Sequence, residues 1–94
     1  MATILVVDDE KMVSDLLTAV LVRHGHEVLI AAGGREALEL FRKHSPKITL
    51  LDLQMPDMNG IAVLKQIRAI DPKAAVMVLT GGGTDDLENQ AREL

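Results

Sequence analysis

The chain has no cysteine, no tryptophan and no tyrosine, and Phe41 is its single aromatic residue. Without cysteine, disulfides and thiol chemistry are excluded. That absence also fits a cytoplasmic protein. With one aromatic ring, the core has to be assembled from Leu, Ile, Val, Ala and Met. A basic cluster is missing as well. The formal net charge is −4, and the Lys and Arg residues are scattered through the segments that read as helices. A nucleic-acid-binding surface needs a basic patch, so no direct nucleic acid binding is expected. No apolar run approaches the ~20 residues of a membrane span. The start, Met1-Ala2-Thr3, has no basic stretch before an apolar one, so neither a signal peptide nor a membrane contact is expected.

What is present is a strongly apolar small domain. Of the 94 residues, 48% are hydrophobic, which is enough for one core and one domain, residues 1–94. A domain of this size buries roughly 60–70% of its unfolded surface, so its stability margin is thin. The pattern alternates strand and helix. Apolar runs predict strands at Thr3–Val7, Glu27–Ala31, Ile48–Asp52 and Ala75–Thr80. Between them, the apolar positions Val13, Leu16, Leu17, Val20 and Leu21 repeat at i, i+3, i+4, i+7 and predict a helix from Lys11 to His24, with Gly25 at its C-terminal cap. Gly33-Gly34 turns the chain into a second helix, Arg35–His44, with Ala37, Leu38, Leu40 and Phe41 inward and Ser45-Pro46 ending it. A third helix runs from Gly60 to Ile70, with Ile61, Leu64 and Ile67 on one stripe. Gly81-Gly82-Gly83 is a flexible turn. Thr84 or Asp85 caps a last helix, in which Leu87, Ala91 and Leu94 share a face.

Strands apolar on both faces and separated by helices predict a parallel sheet with helices on both sides, a doubly wound α/β domain. Ligands bind such sheets at the carboxyl ends of the strands. Asp8, Asp9, Asp52 and Thr80 all fall at carboxyl ends. At ~4 Å, with an effective dielectric near ~20, each like-charged pair costs about 4 kcal/mol. A fold tolerates that cost where a cation or a reaction needs it. Carboxylates with no His or Cys beside them favour a hard cation with oxygen ligands, and Mg²⁺ fits best. A carboxylate can also act as a nucleophile and form an acyl phosphate. Thr80 would lie across from Asp52, where its hydroxyl could donate to a phosphoryl oxygen.

Three stretches together carry a family resemblance: Ile4-Leu5-Val6-Val7-Asp8-Asp9-Glu10, then Leu50 to Gly60 around Asp52, then Val76-Met77-Val78-Leu79-Thr80-Gly81. In this order and spacing, the chain resembles a response-regulator receiver domain of two-component systems, close to the chemotaxis regulators. The resemblance implies a flavodoxin-like sheet in the order 2-1-3-4. It implies that Asp52 is the phosphoacceptor, that Asp8 and Asp9 hold Mg²⁺, and that the Gln54 carbonyl is a further metal ligand. It implies that Thr80 is the switch hydroxyl and that Gly81 leaves room for the phosphoryl group. The donor would be a sensor histidine kinase, and an output domain or partner chain would read the state. A receiver of this kind catalyses only its own phosphorylation and dephosphorylation and is otherwise no enzyme.

Receiver domains also have a fifth strand and helix, and the strand ends in a lysine. No lysine follows Thr80 here, so the expectation is a truncated receiver lacking that strand and helix. The fourth strand would then be a bare edge, and a homo-oligomer formed through that edge is expected, which makes an interaction module the alternative function. An aspartate-nucleophile phosphatase ranks last, because Gln54 stands where those enzymes carry a second aspartate. Plainer readings exist for single residues. Asp8, Asp9 and Asp52 each suit a turn or a cap. Gly81-Gly82-Gly83-Thr84 lacks the lysine of a phosphate-binding loop and reads as a flexible loop. His24, His26 and His44 read as surface or helix-end residues away from the acidic edge.

Overall fold

The computed structural model describes residues 2–55, 57 and 59–79. Thr80, the glycine turn and the helix expected after it lie outside the described residues. The element order is β1 (Thr3–Val7), α1 (Lys11–Arg23), β2 (Glu27–Ala31), α2 (Gly34–His44), β3 (Ile48–Asp52), α3 (Gly60–Ile70) and β4 (Ala75–Leu79). These bounds match the sequence reading to within one residue.

The four strands form one parallel sheet in the order β2-β1-β3-β4. Among the described residues there is no fifth strand, and β4 pairs only with β3. Side chains alternate across the sheet because the strand period is two. Leu5, Val7 and Leu51 face α2 and α3, where Leu38, Phe41, Ile61, Leu64 and Ile67 complete the larger core. Ile4, Val6 and Leu50 face the other way, against Leu17 and Leu21 of α1. Helices therefore lie on both faces, as strands apolar on both sides require.

The helix ends have local causes. Gly25 takes φ +85° just after α1, where the sequence reading places the C-terminal cap. Ser45 closes α2 in the left-handed conformation, and Pro46 follows. Asn59 caps α3, its Oδ1 accepting from the Ile61 N–H at 2.7 Å.

The apolar stripe of α1 is only partly covered. Val13, Leu17 and Leu21 are half-buried, while Leu16 and Val20 are exposed. The buried residue of α1 is the polar Ser14, and of the apolar positions Leu17 and Leu21 pack against Ile4, Val6 and Leu50. On α2, Ala37, Leu38 and Phe41 are buried as expected, and Leu40 is half-buried against the same core.

Candidate functional site

The site follows from topology. The chain leaves β1 for β2 on one side and returns to β3 on the other. The crevice beyond the carboxyl ends of β1 and β3 is thus the switch point, where open α/β sheets bind ligands. Val7 is in register with Leu51, so the next residues, Asp8 and Asp52, emerge side by side.

Asp8, Asp9 and Asp52 each bring a carboxylate oxygen within 4.8 Å of the others. Asp8 is buried, Asp52 half-buried and Asp9 exposed. A cleft of about 390 Å³ opens over them, lined also by Glu10, Gln54 and Leu79. The plainer turn roles are present as well. Asp8 Oδ1 accepts from the Glu10 N–H at 2.9 Å, and Asp52 Oδ1 accepts from the Gln54 N–H at 3.0 Å. A carboxylate has a second oxygen, so holding a turn and serving a ligand are compatible.

Burial pushes the Asp52 carboxyl above the ordinary aspartate value. The Gln54 N–H pulls it down, and the neighbouring Asp8 and Asp9 charges push it further up. Burial and the two neighbouring carboxylates thus act in the same direction, against the charged form of Asp52. The donor set is oxygen only, with no histidine or cysteine in the cluster. That chemistry suits Mg²⁺.

Of the residues singled out in the sequence, Asp8, Asp9, Asp52 and Gln54 come together at this edge. Thr80 lies outside the described residues; the described part of β4 ends at Leu79, in register with Asp52. The histidines stand elsewhere. His24 and His44 are exposed, and His26 Nδ1 accepts from the Ala2 N–H. One residue escaped the sequence reading. Asp57, to which the sequence reading gives no role of its own, accepts through Oδ1 from the Gly34 N–H at 3.1 Å. Its partner lies 23 residues away, so no local pattern announces the contact. No helix among the described residues is long and apolar enough to cross a membrane.

Comparison with known proteins agrees with this geometry. The response regulator receiver domain family matches residues 4–94. The chain is 36% identical over 91 residues to sporulation initiation phosphotransferase F of Bacillus subtilis, covering 97% of this chain and 73% of that protein. It is 35% identical over 85 residues to the chemotaxis protein CheY of the same organism, covering 89% and 71%. Among solved structures, a CheY-like receiver domain protein from Methanospirillum hungatei superposes with TM-score 0.94 at 27% identity, covering 99% of this chain and 74% of that one. The Vibrio cholerae chemotaxis protein CheY4 superposes with TM-score 0.91 at 28% identity, covering 99% and 79%. The chain belongs to the response regulator receiver domain family, the regulatory phosphoacceptor modules of two-component signalling.

Proposed function

We propose that Asp52 is the residue that receives the phosphoryl group, and that a sensor histidine kinase donates it. The observation that carries this reading is the meeting of Asp8, Asp9 and Asp52 at the switch point of the sheet. Asp52 ends a buried strand yet stays half-exposed in the cleft, so a donor can reach it. An Asp52 oxygen attacks phosphorus, the P–N bond to the kinase histidine breaks, and the departing imidazole nitrogen takes up a proton. The product is an acyl phosphate on Asp52.

Asp8, Asp9, Asp52 and the Gln54 carbonyl would hold Mg²⁺. When bound, the cation offsets the crowded carboxylate charge and the charge of the phosphoryl oxygens. Asp8 and Asp52 are each pinned by the amide two residues on, so both are oriented before a donor arrives. Thr80 is the proposed switch hydroxyl, since it follows Leu79, the β4 residue in register with Asp52. The same residues would catalyse phosphorylation and dephosphorylation of the domain itself and no other reaction. An output domain or partner chain would read the resulting state in the cytoplasm.

The test is intact mass after incubation with a small acyl-phosphate donor, with and without Mg²⁺, beside Asp52→Asn. A phosphoryl adduct that needs Mg²⁺ and disappears in the variant is expected. A folded wild-type protein that gains no adduct, or a variant that gains the same one, would overturn the assignment.

A second reading is favoured by apolar side chains exposed on α1 and β4, among them Leu16, Val20 and Met77. It makes the 94-residue chain an interaction module that associates with its own copies. The two readings are compatible, because the acidic cleft and this surface are different parts of the molecule.

A further inference from the structure

The loop from Leu53 to Asn59 follows Asp52 directly and carries Gln54, which lines the cleft. Its mouth is closed by the Gly60 N–H donating to the Leu53 carbonyl at 3.1 Å. Met55 packs against the larger core. A further anchor among the described residues lies beyond the loop. Asp57 Oδ1 accepts from the Gly34 N–H at the first residue of α2.

The start of α2 is built around that carboxylate. Its N-cap residue, Gly33, has no side chain to satisfy the first amides. Glu36 reaches back to the Ala32 N–H at 3.0 Å, but the Gly34 amide is met from the distant loop. Gly33 and Gly34 are both buried. A Cβ at Gly33 would sit 2.6 Å from Asp57 Oδ2 and 2.8 Å from Oδ1. Gly33 has an extended backbone that any residue adopts, so the constraint here is space, and Asp57 fills that space. The carboxylate also lies where the helix dipole favours a negative charge.

We propose that Asp57 is a positioning residue for the acidic site, capping α2 from the loop and thereby holding that loop, with Gln54, in the shape a bound cation needs. The cation part of this inference rests on the receiver reading proposed above. The coupling of loop to helix does not.

The experiment compares five proteins by amide hydrogen exchange, thermal melting and Mg²⁺ titration. They are wild type, Asp57→Ala, Asp57→Asn, Gly33→Ala and the double variant Gly33→Ser with Asp57→Ala. Asp57→Ala removes the acceptor, and Gly33→Ala displaces it without altering it. Both are expected to speed exchange at the Gln54 amide about fivefold or more and to weaken Mg²⁺ binding about tenfold. Asp57→Asn keeps an acceptor and should stay within about twofold of wild type, which separates position from charge. In the double variant the clash at Gly33 is gone, and serine caps α2 locally. Melting temperature and exchange in the first turn of α2 should recover, while Gln54 exchange and Mg²⁺ affinity stay impaired.

Recovery of all readouts in the double variant would reduce Asp57 to a helix cap and overturn the proposal. So would unchanged Gln54 exchange in Asp57→Ala. If the wild type binds no Mg²⁺, the cation assignment of the site fails instead, and the Gln54 exchange rates alone decide the coupling.

Discussion

Asp52 has a raised pKa chiefly because burial disfavours its charged form, with Asp8 and Asp9 adding to the rise. The sign of the consequence for stability is fixed by linkage. A carboxyl whose pKa is higher folded than unfolded binds its proton more tightly in the native state. Its ionised form therefore destabilises the fold, fully so above the raised folded pKa. That penalty is relieved as pH falls through that pKa toward the ordinary value of 3.8. In the metal-free protein at neutral pH, Asp52→Asn is thus expected to raise the melting temperature. The gain is at most about 1 kcal/mol, because the half-exposed group is screened by solvent. Asparagine keeps an oxygen for the Gln54 N–H, so the turn is retained. The gain should shrink in melts taken at successively lower pH and should be cancelled at neutral pH by added Mg²⁺, which only the wild type would bind strongly. An Asp52→Asn protein that melts below wild type at neutral pH without metal would contradict this account. The residue was legible in the sequence because an apolar run ending in a carboxylate is rare without a reason. Asp57 was not, since its role depends on a helix start that only the folded chain brings to it.

At the scale of elements, the junction between β3 and α3 is the tightest place in the site. A Cβ on Gly60 would lie 2.4 Å from Leu53 Cα and 2.7 Å from the Asp52 carbonyl oxygen. Both are backbone atoms next to the proposed phosphoacceptor, so the helix start or the strand end has to move. Gly60→Ala is expected to destabilise by about 2 kcal/mol, a fall of roughly 8–16 °C in melting temperature. The shift passes into Asp52, so Mg²⁺-dependent phosphorylation should fall even below the melting transition. A variant that melts within a few degrees of wild type and phosphorylates normally would show that the junction gives way without cost. Element boundaries were largely legible in the sequence, because Gly25, Ser45-Pro46 and Asn59-Gly60 are local stop and start signals. The orientation of α1 was not. Periodicity marks which residues are apolar, and Leu16 and Val20 belong to that set, but which half of a wide stripe meets the sheet depends on where the strands lie.

For the whole molecule, the two faces of the sheet are covered unequally. The face toward α2 and α3 is closed by a continuous core. On the other face, α1 lies over the side where β1 and β2 run, with Leu17 and Leu21 against Ile4 and Val6. Met77, in register with Leu50 on that same face, is 61% exposed, and Leu16 of α1 is 67% exposed. Among the described residues, β4 also has no neighbour on its outer side. An apolar face beside a strand edge that is unpaired among the described residues is a template for association. Two copies meeting there would bury both features at once, and a two-fold arrangement would close the contact without further growth. The 94-residue chain is therefore expected to sediment as a mixture whose dimer fraction rises with concentration through the micromolar range. Leu16→Glu with Met77→Glu should shift it to monomer, because charge on this face cannot be buried unpaired. Asp52→Asn should leave the association as it is, since the acidic cleft plays no part in it. A wild-type sample that remains a single monomeric species at about 1 mM, where even a contact of roughly 4 kcal/mol would be half-populated, would remove the interaction reading. It would leave the phosphoacceptor reading standing alone.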